Sequence, residues 1–338
     1  MIPVSAEIRQ TPPWQTELAR VVTDPGELLG LLGLGKEWQA AAEVAARTFP
    51  LRVPRGYVAR MRRGDPYDPL LRQVLPLAAE LAPSAGFGAD PVGDRAAQRA
   101  PGVLHKYRGR VLLTATGACA VHCRYCFRRH FPYEQANASA DGWRAAIDYI
   151  AADASITEVI LSGGDPLTLS DRRLSEFVQL LALIPHVRRL RLHSRLPVVL
   201  PERVTTSLCE VLTGTRLRAV MVLHANHAQE IDDSVQAACA RLATAGFHLL
   251  NQSVLLRGVN DSVETLVSLS EALFATGVLP YYLHQLDRVQ GAAHFEISDE
   301  GARQLHAGMN SRLPGYLVPR LVREVPGAAE KTMLDRLR

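Results

Sequence analysis

Val111-Leu112-Leu113-Thr114-Ala115-Thr116-Gly117-Ala118-Cys119-Ala120-Val121-His122-Cys123-Arg124-Tyr125-Cys126 starts as a β-strand and ends as a loop of closely spaced thiols. Residues 111–116 form a short apolar, partly β-branched run of the kind that fills a buried strand. Five further runs follow at 158–162, 190–193, 219–224, 248–255 and 279–284, with amphipathic helices between several of them. Asp141 precedes a face of Trp143, Ile147 and Ile150, and Ser170 precedes Leu174, Phe177, Val178 and Leu181. Asp261 with Glu264 makes a capping box before Leu266, Leu269 and Leu273, and Gly277 is placed to close that helix. Strand–helix alternation repeated about six times implies an α/β fold with a parallel sheet and right-handed crossovers. Six units are too few for an eightfold barrel, so an incomplete barrel and an open doubly wound sheet both fit.

Upstream of this block the pattern is helical. Asp24-Pro25-Gly26-Glu27 supplies an N-cap, an early proline and a third-position carboxylate ahead of Leu28, Leu29, Leu31 and Leu32. Residues 83–91, rich in proline and glycine, break all regular structure. The expected organisation is therefore a helical region over 1–100, an α/β unit over 101–313 and a carboxy-terminal segment over 314–338 with an apolar run at 316–318.

Composition narrows the function classes. The 338 residues are 47% hydrophobic and 21% charged, which excludes a disordered chain. A net charge of +4 does not indicate a nucleic-acid surface. No apolar run reaches the roughly 18 residues of a membrane helix, and the start shows no signal-peptide pattern, so a cytoplasmic location is expected. Five cysteines, three of them in one loop, do not make a disulfide framework. Lys36, Lys106 and Lys331 are the sole lysines, so any amine chemistry by the chain falls to one of them.

The reactive residues collect where strands end. Cys119 follows the first run, Gly163-Gly164-Asp165-Pro166 the second and His193-Ser194-Arg195 the third. His224 and Asn226 end the fourth; His284, Gln285 and Asp287 end the sixth. That edge is where parallel α/β folds bind ligands. Three thiolates leave a fourth metal position open, whereas a structural zinc site needs four ligands, which His122 or His130 would complete. An iron–sulfur cluster with one open iron accounts better for three cysteines, because that iron is free to take a ligand. Cys209 and Cys239 fall in helical segments and read as packing residues.

The loop Cys119-Ala120-Val121-His122-Cys123-Arg124-Tyr125-Cys126 resembles the signature of radical S-adenosylmethionine enzymes. The resemblance implies a partial (β/α)6 barrel and a [4Fe–4S] cluster on Cys119, Cys123 and Cys126, whose open iron holds S-adenosylmethionine. It places the methionine moiety beside Gly163, Gly164 and Asp165. Cys126-Phe127-Arg128-Arg129, Ser162 to Leu167, His193 to Pro197, Asn251 to Leu256, Pro280-Tyr281-Tyr282 with Asp287, and Pro326-Gly327 followed by Lys331-Thr332 together resemble the lysine 2,3-aminomutase family. These matches run in order from about residue 100 onward.

By that resemblance Lys331 is the Schiff-base lysine for pyridoxal 5′-phosphate, and Arg110 holds the cofactor's phosphate. Ser194, Arg195, His224 and Gln252 fall among the S-adenosylmethionine contacts. Arg128 meets the substrate carboxylate, with Arg129 read as its solvated neighbour, and Asp287 and Glu324 receive the side-chain ammonium of L-lysine. Glu324 stands where the aminomutases carry aspartate. The implied reaction is an isomerisation of (S)-α-lysine to (R)-β-lysine, started by a 5′-deoxyadenosyl radical that takes a hydrogen from the β-carbon.

His105-Lys106-Tyr107, residues 123–133 and Val289-Gln290-Gly291-Ala292-Ala293-His294-Phe295 resemble the branch that serves β-lysylation of elongation factor P. That implies a functional link to elongation factor P and its lysine ligase, and an electron donor such as a flavodoxin or ferredoxin. No nucleic acid or membrane partner is expected, and the resemblance leaves room for a homo-oligomer. Two competing readings are an aminomutase for another amino acid and a non-catalytic zinc or iron–sulfur binding module.

Overall fold

The computed structural model describes residues 12–134, 137–138 and 143–335. Among them, ten strands form one sheet in strict chain order. They are β1 (Gln98–Ala100), β2 (Val103–Tyr107), β3 (Arg110–Thr116), β4 (Glu158–Gly163), β5 (Arg189–Ser194), β6 (Arg218–Leu223), β7 (His248–Val254), β8 (Leu279–His284), β9 (Arg320–Arg323) and β10 (Thr332–Met333). β3 through β9 are parallel. The pairs β1–β2, β2–β3 and β9–β10 are antiparallel.

This order decides between the two architectures. A doubly wound sheet needs a point where strand order reverses. Here it never reverses, so right-handed crossovers put the connecting helices on one face and the sheet curls as a partial barrel. All six expected strands are present. A seventh parallel strand, β9, lies beyond them. The apolar run at 316–318 is not that strand: Gly315–Leu317 is a single 3-10 turn, and the strand follows at Arg320–Arg323. Four residues flanked by arginines carry too little periodicity to be read in advance.

Local chemistry explains the element ends. Asp24 accepts the Glu27 amide at 2.7 Å and starts the helix Pro25–Leu32. The Ser170 hydroxyl caps Asp171–Ala182, which buries Leu174, Phe177, Val178 and Leu181 against the sheet. The cap of Val263–Ala275 is Ser262, not Asp261. Asp261 is already engaged, accepting the Gly258 amide at 2.8 Å across a tight turn. Gly277 closes that helix as expected, with φ +77°. Asp141 lies outside the described residues.

The amino-terminal region is helical in short pieces, and it braces the cysteine loop. The Arg52 side chain donates to the Cys119 carbonyl at 2.7 Å, and the His122 amide donates to the Arg52 carbonyl at 2.9 Å. Glu80 binds Arg124 through both carboxylate oxygens (2.8 and 2.5 Å) and Arg129 at 2.8 Å. Arg129 is therefore a buried ion-pair partner, not a solvated neighbour of Arg128. An isolated buried guanidinium is costly, and the shared carboxylate is what makes two of them tolerable.

Candidate active site

The curled sheet encloses a cavity of about 560 Å³ that runs from the carboxy-terminal edge of its parallel strands, at Cys119 and Gly163, back to Arg110 and Glu158 at the starts of β3 and β4. Fourteen of the fifteen residues expected at the site line it: Cys119, Cys123, Cys126, Arg110, Arg128, Gly163, Gly164, Asp165, Arg195, His224, Gln252, Asp287, Glu324 and Lys331. Ser194 does not. Its hydroxyl donates instead to Asp165 at 2.8 Å.

At one end, the three cysteines present thiols from a loop held on both sides. Burial and the neighbouring thiols push Cys119 well up and Cys126 up to about 11. A cationic cluster would reverse that balance, because thiolates are its natural ligands. Among the described residues, no three His, Cys, Asp or Glu side chains converge on one point as a single ion requires. His122 gives Nδ1 to the Pro50 carbonyl, and His130 Nε2 meets the Gln290 carbonyl. The donor set thus suits a multi-iron cluster spanning the loop better than a zinc tetrahedron, whose ligands lie about 2.0–2.3 Å from one centre.

Gly163 and Gly164 are required by this loop. A Cβ on Gly163 would stand 2.8 Å from the Thr116 carbonyl oxygen, at φ +118°, and one on Gly164 would overlap the Ala118 carbonyl. The Gly164 and Asp165 amides donate to Thr116 and Ala118 at 2.7 and 2.8 Å, locking the two loops together. The Asp165 carboxylate accepts from Ser194, Arg195, Leu167 and Leu196, so it ties β4 to β5. Burial pushes its carboxyl up against those four bonds. Arg195 reaches from there to the Cys123 sulfur at 2.9 Å, and to Tyr125, Gln73 and Glu230. Its guanidinium is placed to stabilise a thiolate.

The middle of the cavity holds neutral imidazoles. Burial drives His224 down to about 3, so its ring is uncharged and accepts from Gln252 at 2.9 Å. Burial also depresses His193 and His284, and the Nε2 atom of each is buried without a partner. Orphaned buried polar atoms on a cavity wall are groups that a bound molecule would satisfy.

At the far end sits a charged cluster. Lys331 Nζ donates to Glu324 Oε2 at 2.6 Å. The Tyr107 hydroxyl donates to Glu324 Oε1 at 2.6 Å, and Lys106 Nζ lies 3.5 Å from the same oxygen. Lys106 also pairs with Asp94 at 2.6 Å, and Asp94 takes Arg128 Nε at 2.7 Å. Burial opposes the charge on Glu324 and Asp94, but these cations outweigh it and hold both carboxyls below their ordinary values. Asp287 is different. It has no hydrogen-bond donor among the described residues, and burial, with Glu324 adding to it and Lys331 opposing, lifts it to about 7. Arg128 also donates through Nη1 to Ser162 at 3.1 Å. Arg110 stacks its guanidinium 4.6 Å from the Tyr107 ring centroid.

A family model for a 4Fe-4S single cluster domain matches residues 108–194. L-lysine 2,3-aminomutase of Escherichia coli (strain K12) is 50% identical over 95% of this chain and 94% of its own length. The Haemophilus influenzae L-lysine 2,3-aminomutase is 47% identical over 98% of both chains. The chain belongs to the lysine 2,3-aminomutase family. The Clostridium subterminale L-lysine 2,3-aminomutase is 35% identical over 94% of this chain and 77% of its own length. Radical S-adenosylmethionine chemistry on a [4Fe–4S] cluster, with pyridoxal phosphate, is that of the family.

Against this family, three cavity residues stand out that sequence reasoning did not assign. Asp94 bridges Lys106 and Arg128 from the start of a one-turn helix, Asp94–Ala97, just past the proline- and glycine-rich stretch, and no pattern marks it. Tyr107 and Lys106 lie on β2, a hairpin strand too short to register. Lysine scarcity is a signal for Lys106, since two of the three lysines line the cavity.

Proposed function

We propose that this chain interconverts (S)-α-lysine and (R)-β-lysine, and that its product serves β-lysylation of elongation factor P. The observation that carries the reading is one cavity with three loop thiols at one end and Lys331 with two carboxylates at the other. Each implied group meets donors that suit it: thiols for the cluster, an amine flanked by the cations Lys106 and Arg110 for an anionic aldehyde cofactor. When bound, these groups would supply a hydrogen-abstracting radical and a carbonyl carbon that holds the migrating nitrogen.

The chain's own residues do the rest. Cys119, Cys123 and Cys126 would hold the cluster, with Arg195 stabilising Cys123 as a thiolate. Gly163, Gly164 and Asp165 keep the neighbouring loop against the cysteines, and the His224–Gln252 pair presents uncharged polar groups to S-adenosylmethionine. Lys331 would carry pyridoxal phosphate and Arg110 its phosphate. Arg128, fixed at Nε by Asp94 and at Nη1 by Ser162, would turn its remaining Nη2 to the substrate carboxylate. Asp287 and Glu324 would receive the distal ammonium; a neutral side chain there would leave buried carboxylates unpaired. That arrangement fixes both ends of lysine and so orients the β-carbon, which is what positioning contributes to such a reaction.

A ligase acting on elongation factor P would consume the product, and a flavodoxin or ferredoxin would supply the electron. No helix among the described residues is long and apolar enough to cross a membrane. The test is anaerobic reconstitution with pyridoxal phosphate, S-adenosylmethionine, a reductant and (S)-α-lysine, with chiral mass spectrometry of the product. (R)-β-lysine that depends on every addition supports the reading. Formation of 5′-deoxyadenosine without β-lysine, from protein that holds its cluster, would overturn the substrate assignment.

A further inference from the structure

Both carboxylate oxygens of Glu324 carry a donor in the cofactor-free chain. One carboxylate oxygen takes Lys331 at 2.6 Å, and the other takes Tyr107 at 2.6 Å, with Lys106 at 3.5 Å. The remaining carboxylate of the pair, Asp287, has no donor, and burial raises it to about 7. The donor on Glu324 Oε2 is itself the ammonium of a lysine side chain, the same chemical group that the acidic pair is read as receiving from substrate. Lys331 is only a quarter exposed, and its Nζ stands 5.7 Å from the centroid of the Tyr282 ring, so it is held within the cavity.

We infer that the Lys331 ammonium is an internal occupant of the substrate's ammonium seat, so that the seat opens only when that amine is engaged elsewhere. The inference rests on the reading that Asp287 and Glu324 receive the distal ammonium. It makes assembly ordered. A charge-assisted bond between ammonium and carboxylate is among the stronger hydrogen bonds, and the tethered lysine competes as an intramolecular ligand. Free L-lysine meets an occupied Glu324 and an Asp287 that is half protonated near pH 7. An amine committed to a cofactor aldehyde gives up its bond to Glu324, and both carboxylates then face the cavity. Substrate amines are thereby kept from a chain that cannot yet transform them. The apparent Kd scales inversely with the fraction of open seats, so a seat filled nine times in ten weakens binding about tenfold.

The experiment measures L-lysine binding by calorimetry to the full-length chain without pyridoxal phosphate, in the wild type and in Lys331→Met. The expected result is at least about tenfold tighter binding by Lys331→Met, with the gain abolished by adding Glu324→Gln. Lys331→Gln replaces Lys331→Met if the latter does not fold, as judged by circular dichroism and thermal melting. Equal affinities for the wild type and Lys331→Met, with Asp287→Asn and Glu324→Gln still weakening the variant, would overturn self-occupancy and leave the acidic seat standing. If neither carboxylate substitution affects L-lysine binding to Lys331→Met, the seat is misassigned and both the inference and the reading beneath it fall.

Discussion

On the proposed assignment of Asp287 to the substrate ammonium, the seat titrates, and the sign of the effect follows from the geometry. Burial is the main reason its carboxyl is raised to about 7, and Glu324 adds to it. In the cofactor-free chain Glu324 is held below the ordinary range by Lys331, Tyr107 and Lys106, and Tyr107 and Lys106 stay on it when the cofactor takes Lys331. The side-chain ammonium of lysine, with an ordinary pKa near 10.4, remains charged below pH 9. An ammonium favours the ionised form of Asp287, so affinity is full above pH 7 and declines as pH falls through it. Below its midpoint the ionised fraction of Asp287 falls roughly tenfold per pH unit, and with Lys331 engaged by the cofactor its opposing charge is lost, so the midpoint in loaded enzyme stands at or above 7. The assay is the apparent Kd of L-lysine for pyridoxal-phosphate-loaded enzyme from pH 5 to 8, in the wild type and in Asp287→Asn. The α-amino group of lysine titrates too, but it contributes to both profiles equally. The part of the slope centred at or above pH 7 should vanish in Asp287→Asn, with weaker binding at pH 8. Superimposable pH profiles would refute the placement of Asp287 against the ammonium.

Lys331→Ala should abolish the cofactor's imine absorbance while leaving iron and sulfide content unchanged, and normal turnover by that variant would defeat its assignment. Glu80→Ala strips the shared carboxylate from two buried guanidiniums, Arg124 and Arg129. It should cost about 3–5 kcal/mol in urea unfolding, and an unchanged midpoint would show that the pair is not the brace it looks like. Gly164→Ala drives a methyl group into the Ala118 carbonyl, and should cost about 1–3 kcal/mol and lower iron retention. Gly30→Ala, which meets open space in a helix, is the control and should lose nothing.

The alternation of apolar runs with capped helices was enough to read the parallel sheet, because strands buried on both faces leave continuous apolar stretches. The winding was not legible, since periodicity carries no information about strand order. The cysteine loop and the glycine pair stood out because their chemistry is local: spacing alone brings the thiols together. The charged cluster was legible only in part. Lys331 and Glu324 are seven residues apart, but Tyr107 and Asp94 join them from more than two hundred residues away. No window of sequence contains that contact. Ser194 shows what spacing leaves out, since a hydroxyl at a strand end looks available until Asp165 is found holding it.

The incomplete barrel is itself the reason this cluster exists. β2 and β9 stand far apart in the hydrogen-bonded order of the sheet, yet Tyr107 on β2 touches Glu324 just past β9. The two ends of the curled sheet therefore meet through side chains and not through a backbone ladder. A closed eightfold barrel would fill that gap with main-chain hydrogen bonds and packed apolar layers. Here the gap is bridged by Tyr107, Lys106, Glu324 and Lys331, groups that can exchange partners without breaking the sheet. On the proposed reading, seating an ammonium there requires Lys331 to release one carboxylate oxygen. The same opening gives the cavity its length, from the thiols after β3 to the amine before β10, so that a group bound at one end can reach a substrate held at the other.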